Sequence, residues 1–364
     1  MGMSFRLTEV GWRDDSLCDH NSGHVVYKLR AGPMKIGLRT HDGAEDRLLF
    51  AQQIGADGAS IWASACPGYP QRCYLTVDNV IQMRERFDLF DLELTGIGLG
   101  GECIKNQLLG LPDRDREIEN VNQTIRSVGE AYKDGAPSPV IIIDQRTTYW
   151  APKGPFWHPG YERSPIGRGG VLLTTFDADR IYGELDDRPA GVVNAEEVWS
   201  RITYFYERIV PVAESYNVRL ATHPDDPPME YYRGVHQALI SFAGLQRFID
   251  LVPSPNNGLL LCLGCMQQAG ENVPDIIRYF GERQKIFYIH FRNVRGQVPR
   301  YTEVFPNEGD GDMIANLKAL KEVGYNGYLV PDHHFGVSGD SEWPQISRAW
   351  QVGYIRGLLQ ALDV

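Results

Sequence analysis

Short apolar runs recur along the chain and alternate with segments of helical periodicity. Several of these runs are almost continuously apolar, which is typical of parallel strands that are buried on both faces. Eight strands are predicted in this way: Met34–Arg39, Ala59–Ala63, Leu92–Ile97, Val140–Asp144, Val218–His223, Gly258–Cys262, Ile286–Phe291 and Tyr328–Asp332. Their number and their alternation with helices predict an α/β fold, a single closed (β/α)8 TIM barrel.

The segments between the predicted strands carry helix signals. Asp312–Val323 repeats an apolar residue every three positions, with Asp312 placed to cap its start and Gly324 placed to end it. A second stretch that begins at Asn194 has an apolar stripe at helical spacing. The similar turns Gly55–Gly58 and Gly324–Gly327 precede the second and eighth strands, a weak internal repeat that agrees with repeated βα units.

Two segments fall outside the eight units and define the predicted domain organisation. Residues 1–33 form an N-terminal extension, and residues 34–364 form the barrel, which includes a long insertion at 145–193 after the fourth strand. The loops after the strands lie at the C-terminal mouth of such a barrel, so the insertion is expected to act as an active-site lid. The alternative is a surface excursion or a contact between subunits.

Charge and composition narrow the possible partners. The 364 residues include 36 Lys and Arg against 47 Asp and Glu, a net charge of −11. No basic cluster stands out, and no apolar run approaches the roughly 18 residues of a membrane span. We therefore expect a cytoplasmic protein that binds neither nucleic acid nor membranes, takes a small-molecule substrate and forms a homo-oligomer. The six cysteines are sparse and irregularly spaced, which predicts reduced thiols.

The last four predicted strands each end in a residue that can bind a metal ion. These residues are His223, Cys262, His290 and Asp332, and the intervals between them match one βα unit each. The ends of successive barrel strands surround one mouth, so the four side chains are expected to meet there. Two imidazoles, a thiolate and a carboxylate suit Mn, Fe, Co or Zn better than Ca or Mg.

Each of these residues also has a structural interpretation when it is taken alone. A strand-end cysteine is often a small buried hydrophobic residue, and a histidine is often held by hydrogen bonds without any metal. Cys262 and Cys265 also form a C-x-x-C pair, which leaves a redox or zinc role open. The coincidence of four ligand types at four consecutive strand ends favours the metal site.

Several blocks of the sequence resemble those of mannonate dehydratases, in the same order along the chain. The blocks are Glu102–Lys105, Gly110–Asp115, His223–Pro228, Gly258–Gly264, His290–Val294, Glu308–Met313 and Pro331–His333. The resemblance implies a xylose-isomerase-like barrel that dehydrates D-mannonate to 2-keto-3-deoxy-D-gluconate with Mn2+ or Fe2+. It also implies metal ligation by His223, Cys262, His290 and Asp332, the same set that the strand ends indicate.

Three blocks depart from the family pattern. Pro306 stands where the family usually has a histidine, and Tyr231–Gly234 replaces a block that normally reads like Gly-Leu-Pro-Arg. The segment Glu342–Arg348 stands where the family places a tyrosine. If that tyrosine transfers a proton, another group must do so in this chain; His334, Tyr149 and Tyr161 are the candidates.

Dehydration of a sugar acid requires loss of a proton next to the carboxylate and departure of a β-hydroxyl. A divalent ion would stabilise the enediolate as a Lewis acid, and Arg292 is expected to pair with the carboxylate. His333 is the predicted acid/base, because an imidazole exchanges protons in both directions near neutral pH. Its alternative role is to orient Asp332, and His334 competes with it. Asn293 and Asp225 are the further expected substrate contacts.

Two other functional classes remain open at this point. A sugar isomerase or epimerase would use the same barrel and metal, but such enzymes typically use more carboxylate ligands than the single one predicted here. A metal-bearing homologue without catalysis would account for the missing tyrosine and for Pro306. Sugar acids and neutral sugars tested with Mn2+ would separate these classes.

Overall fold

A computed structural model describes residues 33–99, 103–145, 159–181 and 191–363. Most of the predicted N-terminal extension and parts of the predicted insertion therefore lie outside the described residues. The described residues contain fourteen strands: β1 Lys35–His41, β2 Gly58–Trp62, β3 Glu93–Gly98, β4 Val140–Asp144, β5 Tyr161–Ser164, β6 Leu173–Asp177, β7 Leu220–His223, β8 Tyr231–Tyr232, β9 Val235–His236, β10 Asn257–Cys262, β11 Ile286–His290, β12 Asn293–Gln297, β13 Arg300–Val304 and β14 Tyr328–Val330.

Eight of these strands close into a parallel barrel. Their order around the barrel is β1, β2, β3, β4, β7, β10, β11 and β14, and β14 pairs with β1 to complete the circle. All eight correspond to the strands predicted from the apolar runs, so the (β/α)8 prediction is confirmed. Tyr288 on β11 and Thr95 on β3 share a hydrogen bond of 2.8 Å between their hydroxyl oxygens. These strands lie opposite each other in the barrel, so the contact spans its interior.

Helices follow the barrel strands as the periodicity predicts. They are α1 Glu45–Gln53, α2 Tyr69–Arg72, α3 Val77–Asp88, α4 Lys105–Leu109, α5 Arg114–Ala131, α6 Ala195–Ser215, α7 Phe242–Leu251, α8 Leu263–Gln268, α9 Val273–Glu282, α10 Met313–Glu322 and α11 Gln345–Leu362. None of the helices in the described ranges is both long enough and apolar enough to cross a membrane.

The predicted helix boundaries rest on visible capping contacts. Asp312 accepts hydrogen bonds from the backbone N–H groups of Ile314 and Ala315, and Asn194 accepts one from Glu197. Gly324 follows α10 with a φ of +69°, a left-handed conformation that costs glycine little. The sequence signals for both helices are thus confirmed.

A small antiparallel sheet lies beside the barrel mouth. Its strand order is β12, β13, β6 and β5. The β12–β13 hairpin directly follows barrel strand β11, while β5 and β6 belong to the insertion after β4. The described part of the insertion is therefore tied by backbone hydrogen bonds to the hairpin that follows His290, a predicted metal ligand.

The prediction of reduced thiols is wrong for two of the six cysteines. Cys73 and Cys103 form a disulfide that joins the segments after β2 and β3. Cys66, Cys262 and Cys265 are buried free thiols. Irregular spacing could not reveal the pair, because the barrel brings together cysteines that are 30 residues apart in sequence.

Candidate metal centre and active site

The four predicted ligands meet at the mouth of the barrel. One ligand atom from each of His223, Cys262, His290 and Asp332 lies within 4.8 Å of all the others, and all four residues are buried. His223, Cys262 and His290 are the last residues of β7, β10 and β11, and Asp332 lies two residues after β14. The convergence follows from the closure of the barrel, since these four strands are neighbours.

The histidine nitrogens at this point fit a cation. His223 Nδ1 lies 2.6 Å from the carbonyl oxygen of Pro224, so it donates there and carries the ring proton. This tautomer leaves the lone pair on Nε2, as a metal ligand requires. Nδ1 of His290 is buried without a hydrogen-bond partner, 3.4 Å from a carboxylate oxygen of Asp332. A buried nitrogen without a partner is costly, and a bound cation would satisfy it.

The electrostatics favour the anionic forms of the other two ligands. Burial opposes charge on Asp332, but the neighbouring His290 and His333 outweigh it and hold the pKa of this carboxyl well below its usual range. Burial likewise opposes a thiolate at Cys262, yet a hydrogen bond from Cys265 and the charge of Arg292 lower the pKa of Cys262 well below that of a free thiol. Deprotonated sulfur and carboxylate are the forms that bind metals.

Arg292 is surrounded by anionic partners close to these ligands, although its Nε has no hydrogen bond among the described residues and lies 3.7 Å from Asp332. Its guanidinium donates to Asp226 at 2.8 Å and to Glu303 at 2.7 Å. It also donates to the sulfurs of Cys262 and Cys265, at 3.3 and 3.0 Å. The residue is only 4% exposed. Two carboxylates and two sulfurs therefore compensate the buried cation.

Asp226, Glu303 and His333 form a second group with side-chain atoms within 4.8 Å of one another. The Arg292 guanidinium contacts all three of these residues, so a cation already occupies the centre of this group. His333 Nδ1 lies 2.6 Å from Glu303, and its Nε2 lies 3.3 Å from Asp332. Burial alone would lower the pKa of His333, but the charges of Glu303 and Asp332 outweigh burial and raise it above the ordinary value.

A cavity of about 790 Å³ opens above the ligands. The predicted ligands His223, His290 and Asp332 line it, together with the predicted acid/base residues His333 and His334. Burial, reinforced by the cations Arg348 and Arg39, holds the pKa of His334 well below its usual range. His334 is therefore neutral at physiological pH, whereas His333 is not held in that state.

Three predicted substrate contacts lie outside the lining of this cavity. Arg292 is enclosed as described above. Asn293 uses its amide to hold the following loop, since it donates to the carbonyl oxygens of Pro306 and Gly311 at 2.8 and 2.9 Å. Asp225 is buried and accepts a hydrogen bond from the backbone N–H of Leu239 at 2.8 Å. All three have observed contacts that stabilise the fold around the site.

The wall formed by β1 and α11 carries two arginines that line the cavity, Arg39 and Arg348. His41 lines the same wall, but burial and the charges of the nearby arginines lower its pKa to about 3. Arg39 pairs with Asp332, whereas Arg348 is 1% exposed and has no ion pair to a carboxylate among the described residues. Burial and the nearby charges of Arg39 and Arg47 lower the pKa of Arg348 to about 9. This shift reflects a cation that lacks a close counter-charge.

The insertion contributes to the cavity and to its support. Arg163, Leu172 and Thr174 line the opening. Leu172 and Gly336 exchange two backbone hydrogen bonds, of 3.3 and 2.8 Å, which fasten the insertion to the loop after β14. The hydroxyl of Tyr161 donates to Asp226 at 2.7 Å, so the insertion also contacts the carboxylates around Arg292.

Sequence reasoning missed several residues of this site. Glu303 lies on the β13 hairpin, and Arg348 lies on the last helix, where no motif or strand end marks them. Arg39 carries a weak signal, because it belongs to the first predicted strand and ends it. Trp343 also lines the cavity, within the segment that replaces the expected tyrosine.

Comparison with known proteins identifies relatives of this chain. The family model described as "D-mannonate dehydratase (UxuA)" matches residues 184–364. The mannonate dehydratase of Thermotoga petrophila is 31% identical over 365 aligned positions, covering 91% of this chain and 98% of the relative. Mannonate dehydratase 2 of Halalkalibacterium halodurans is 30% identical, covering 70% of this chain and 79% of the relative.

Solved structures agree with this relationship. The mannonate dehydratase of Streptococcus suis serotype 2 superposes with a TM-score of 0.73 at 25% identity, covering 90% of this chain and 93% of that one. A D-psicose 3-epimerase superposes with a TM-score of 0.57 at 14% identity, covering 90% and 99%, which shows a shared fold alone. The chain belongs to the mannonate dehydratase family of hydro-lyases.

Proposed function

We propose that this enzyme is a metal-dependent sugar-acid dehydratase that converts D-mannonate to 2-keto-3-deoxy-D-gluconate and water. The observation that carries the proposal is the convergence of four buried ligand atoms within 4.8 Å of one another at the floor of a large cavity. The family relationship supports the same substrate class.

His223, Cys262, His290 and Asp332 would hold the ion, which we propose to be Mn2+ or Fe2+. The mixed nitrogen, sulfur and oxygen ligands suit these borderline cations. The bound ion would supply Lewis-acid stabilisation of the negative charge that develops on the substrate carboxylate as the neighbouring proton leaves. The buried Nδ1 of His290, which has no hydrogen bond among the described residues, supports this assignment independently of the relatives.

His333 is assigned the proton transfer. The imidazole of His333 takes the proton from C2 and returns it to the hydroxyl on C3, which departs as water, after which the enol becomes the ketone. Glu303 holds Nδ1 of His333 at 2.6 Å, so exchange with the substrate is assigned to Nε2. Glu303 thereby acts as a positioning residue, since it orients an imidazole that lines the cavity.

The other candidates for proton transfer fit that role less well. His334 lines the cavity, but its lowered pKa suits a neutral hydrogen-bonding residue better than a general acid. Tyr161 is engaged with Asp226 and with the hydroxyl of Tyr301, 2.6 Å away, and Tyr149 lies outside the described residues. We propose that His334 binds a substrate hydroxyl and that His333 carries out both proton transfers.

Arg292 receives a role different from the one expected from sequence. Its partners already balance its charge, so we propose that it holds Asp226, Glu303 and the Cys262 sulfur in place. Asn293 and Asp225 would support the surrounding loops. The insertion at 145–193 remains a proposed lid, supported by the cavity contacts of Arg163, Leu172 and Thr174, and the homo-oligomer also remains a prediction.

A substrate panel tests this function. The purified protein is depleted of metal, reloaded with Mn2+ or Fe2+, and assayed with D-mannonate, other sugar acids and neutral hexoses. Formation of a 2-keto-3-deoxy acid only in the loaded protein is expected. Isomerisation of a neutral sugar would instead favour an isomerase or epimerase. Metal binding without turnover of any substrate would favour a non-catalytic homologue.

A further inference from the structure

Two buried nitrogen donors beside β1 and α11 have no hydrogen-bond partner among the described residues. They are Nε of Arg348 and Nε1 of Trp343. Both residues line the cavity. The Arg348 guanidinium lies 4.4 Å from the centre of the Trp343 ring, so the two donors belong to one local arrangement. Buried donors without acceptors are rare in native proteins, and each one calls for an explanation such as an unseen water, ion or ligand.

The surrounding contacts hold this pair in place without neutralising it. Arg348 donates to the backbone carbonyl oxygen of Arg39 at 2.9 Å, which fastens α11 to the first barrel strand. Arg47 lies on the same indole ring at 5.2 Å, and Phe50 packs edge-on against it. These contacts fix the ring and the guanidinium, yet none of them brings a carboxylate to Arg348.

We propose that Arg348, Trp343 and Arg39 form the subsite that binds the carboxylate of the sugar-acid substrate. This inference rests on the proposed function, because it assigns the group that the same cavity must recognise. Arg39 links the subsite to the metal centre, since its guanidinium pairs with Asp332 while its side chain stays 23% exposed.

The chemistry of the three side chains fits an oxyanion better than a hydroxyl group. All the donors are N–H groups, and Arg39 and Arg348 are cations at neutral pH. A carboxylate accepts several hydrogen bonds in one plane, and charge-assisted bonds of this kind are stronger than neutral ones. Since Arg348 is buried without a counter-ion, an arriving carboxylate would neutralise it where little water competes.

The subsite would select sugar acids over neutral sugars. A neutral sugar would leave the Arg348 cation uncompensated and its Nε without an acceptor. Recognition of this kind gives large discrimination, because the empty polar site penalises the wrong ligand as well as rewarding the right one. The proposal therefore separates this enzyme from isomerases that share its fold by a feature outside the metal ligands.

The test compares Arg348→Met with Arg356→Met. Arg356 is a matched control, because it also lies on α11 but pairs with Asp57 at 3.2 Å and does not line the cavity. In the Mn2+-loaded protein, Arg348→Met is expected to raise the KM for D-mannonate by about 10- to 150-fold, the effect of losing a hydrogen bond between charged groups. Arg356→Met should change the KM by less than about threefold. Arg348→Lys keeps the charge and should recover part of the loss.

Binding measurements keep the test independent of turnover. Calorimetry should show that D-gluconate binds more weakly to Arg348→Met than to the parent protein. The affinity for neutral D-mannitol and the content of bound metal should not change. Gluconate binding is expected to change the tryptophan fluorescence of the parent protein. Trp343→Phe should reduce this change, because Trp343 lies in the proposed subsite. Equal weakening of gluconate and mannitol binding would overturn the subsite, as would unchanged gluconate binding. Preference for inorganic phosphate over gluconate would also overturn it. Failure of turnover with intact selective binding would count against the proposed reaction alone.

Discussion

Two arginines lie buried near the candidate metal centre, and their charges are compensated to different extents. Arg292 contacts the carboxylates of Asp226 and Glu303 and the sulfurs of two cysteines. Arg348 is equally buried, but its contacts are a backbone carbonyl oxygen, a histidine nitrogen and an indole ring. The first region is electrically balanced within the protein, and the second is not.

The difference separates residues that organise a site from residues that bind its ligand. A buried charge that is paired and hydrogen-bonded within the protein needs no further counter-ion, so its role is to hold its partners in place. A buried charge without a counter-ion is unfavourable, and the rest of the fold must compensate for this cost. Binding of an anion therefore lowers the free energy most at such a charge. Compensation, more than mere proximity to a metal ligand, therefore indicates the substrate contact.

The largest expected effect comes from Asp332, which lies between the two regions and contacts Arg39 as well as the histidine ligands. Asp332→Asn removes a charged ligand, so bound Mn2+ should be lost and turnover of D-mannonate should fall by about 10⁴-fold or more. Metal content by mass spectrometry and initial rates check this. The control Asp42→Asn changes a carboxylate that is 48% exposed and should keep both. An Asp332→Asn enzyme with a full complement of metal would contradict the ligand assignment.

The ligands could be predicted from sequence, and the second region could not, for a physical reason. Strand ends in a closed barrel converge wherever the strands lie in sequence, so His223, Cys262 and His290 were identifiable from their positions alone. Arg348 reaches the cavity because the last helix packs beside the first strand, a contact between residues 309 positions apart. Nothing in the local sequence of α11 distinguishes this arginine from one that faces solvent.

The sequence also could not show that the charge of Arg292, which was expected to pair with the substrate carboxylate, is balanced within the protein. Its position two residues after a ligand made it the natural carboxylate partner. Its neutralisation depends on Glu303, which is brought back by the β12–β13 hairpin, and on Asp226, which comes from the segment after β7. Tertiary pairing of this kind is visible only when all three segments are placed together.

His333→Asn tests whether His333, which contacts Arg292 and Glu303, transfers the proton. The metal ligands remain, so the ion should stay bound while turnover falls by about 10² to 10⁴-fold, the usual contribution of general acid–base catalysis. Rate measurements in parallel with metal analysis separate the two effects. His236→Asn makes the same change outside the large cavity and should leave the rate intact. Loss of metal from His333→Asn would show that His333 acts by orienting Asp332.

The free energies of unfolding of Arg292→Met and Arg348→Met test directly whether the two arginines are compensated differently. Arg292→Met leaves Asp226 and Glu303 buried without their cation, so the free energy of unfolding should fall by about 3 to 5 kcal/mol. Arg348→Met removes a cation that has no carboxylate partner, and the fall should be about 1 kcal/mol or less, the size of the lost bond to Arg39. Urea denaturation of the metal-free proteins measures both. Equal losses would show that Arg348 is compensated in a way that its contacts do not reveal.

The smallest expected effect concerns the attachment of the insertion to the balanced region. Tyr161→Phe removes one hydrogen bond to the Asp226 carboxylate, while Arg292 continues to donate to that carboxylate at 2.8 Å. The free energy of unfolding should therefore fall by about 1.5 to 3 kcal/mol, the range for a buried bond to a charged acceptor. Tyr204→Phe deletes a comparable bond to Asp115 on the exposed surface and should cost less than about 0.5 kcal/mol.

Because His333 is assigned the proton transfer, Tyr161→Phe should keep turnover within about tenfold of the parent enzyme. A loss of 10² or more would instead place Tyr161 in the chemistry, within the general acid–base range, and would make the insertion part of the reacting site.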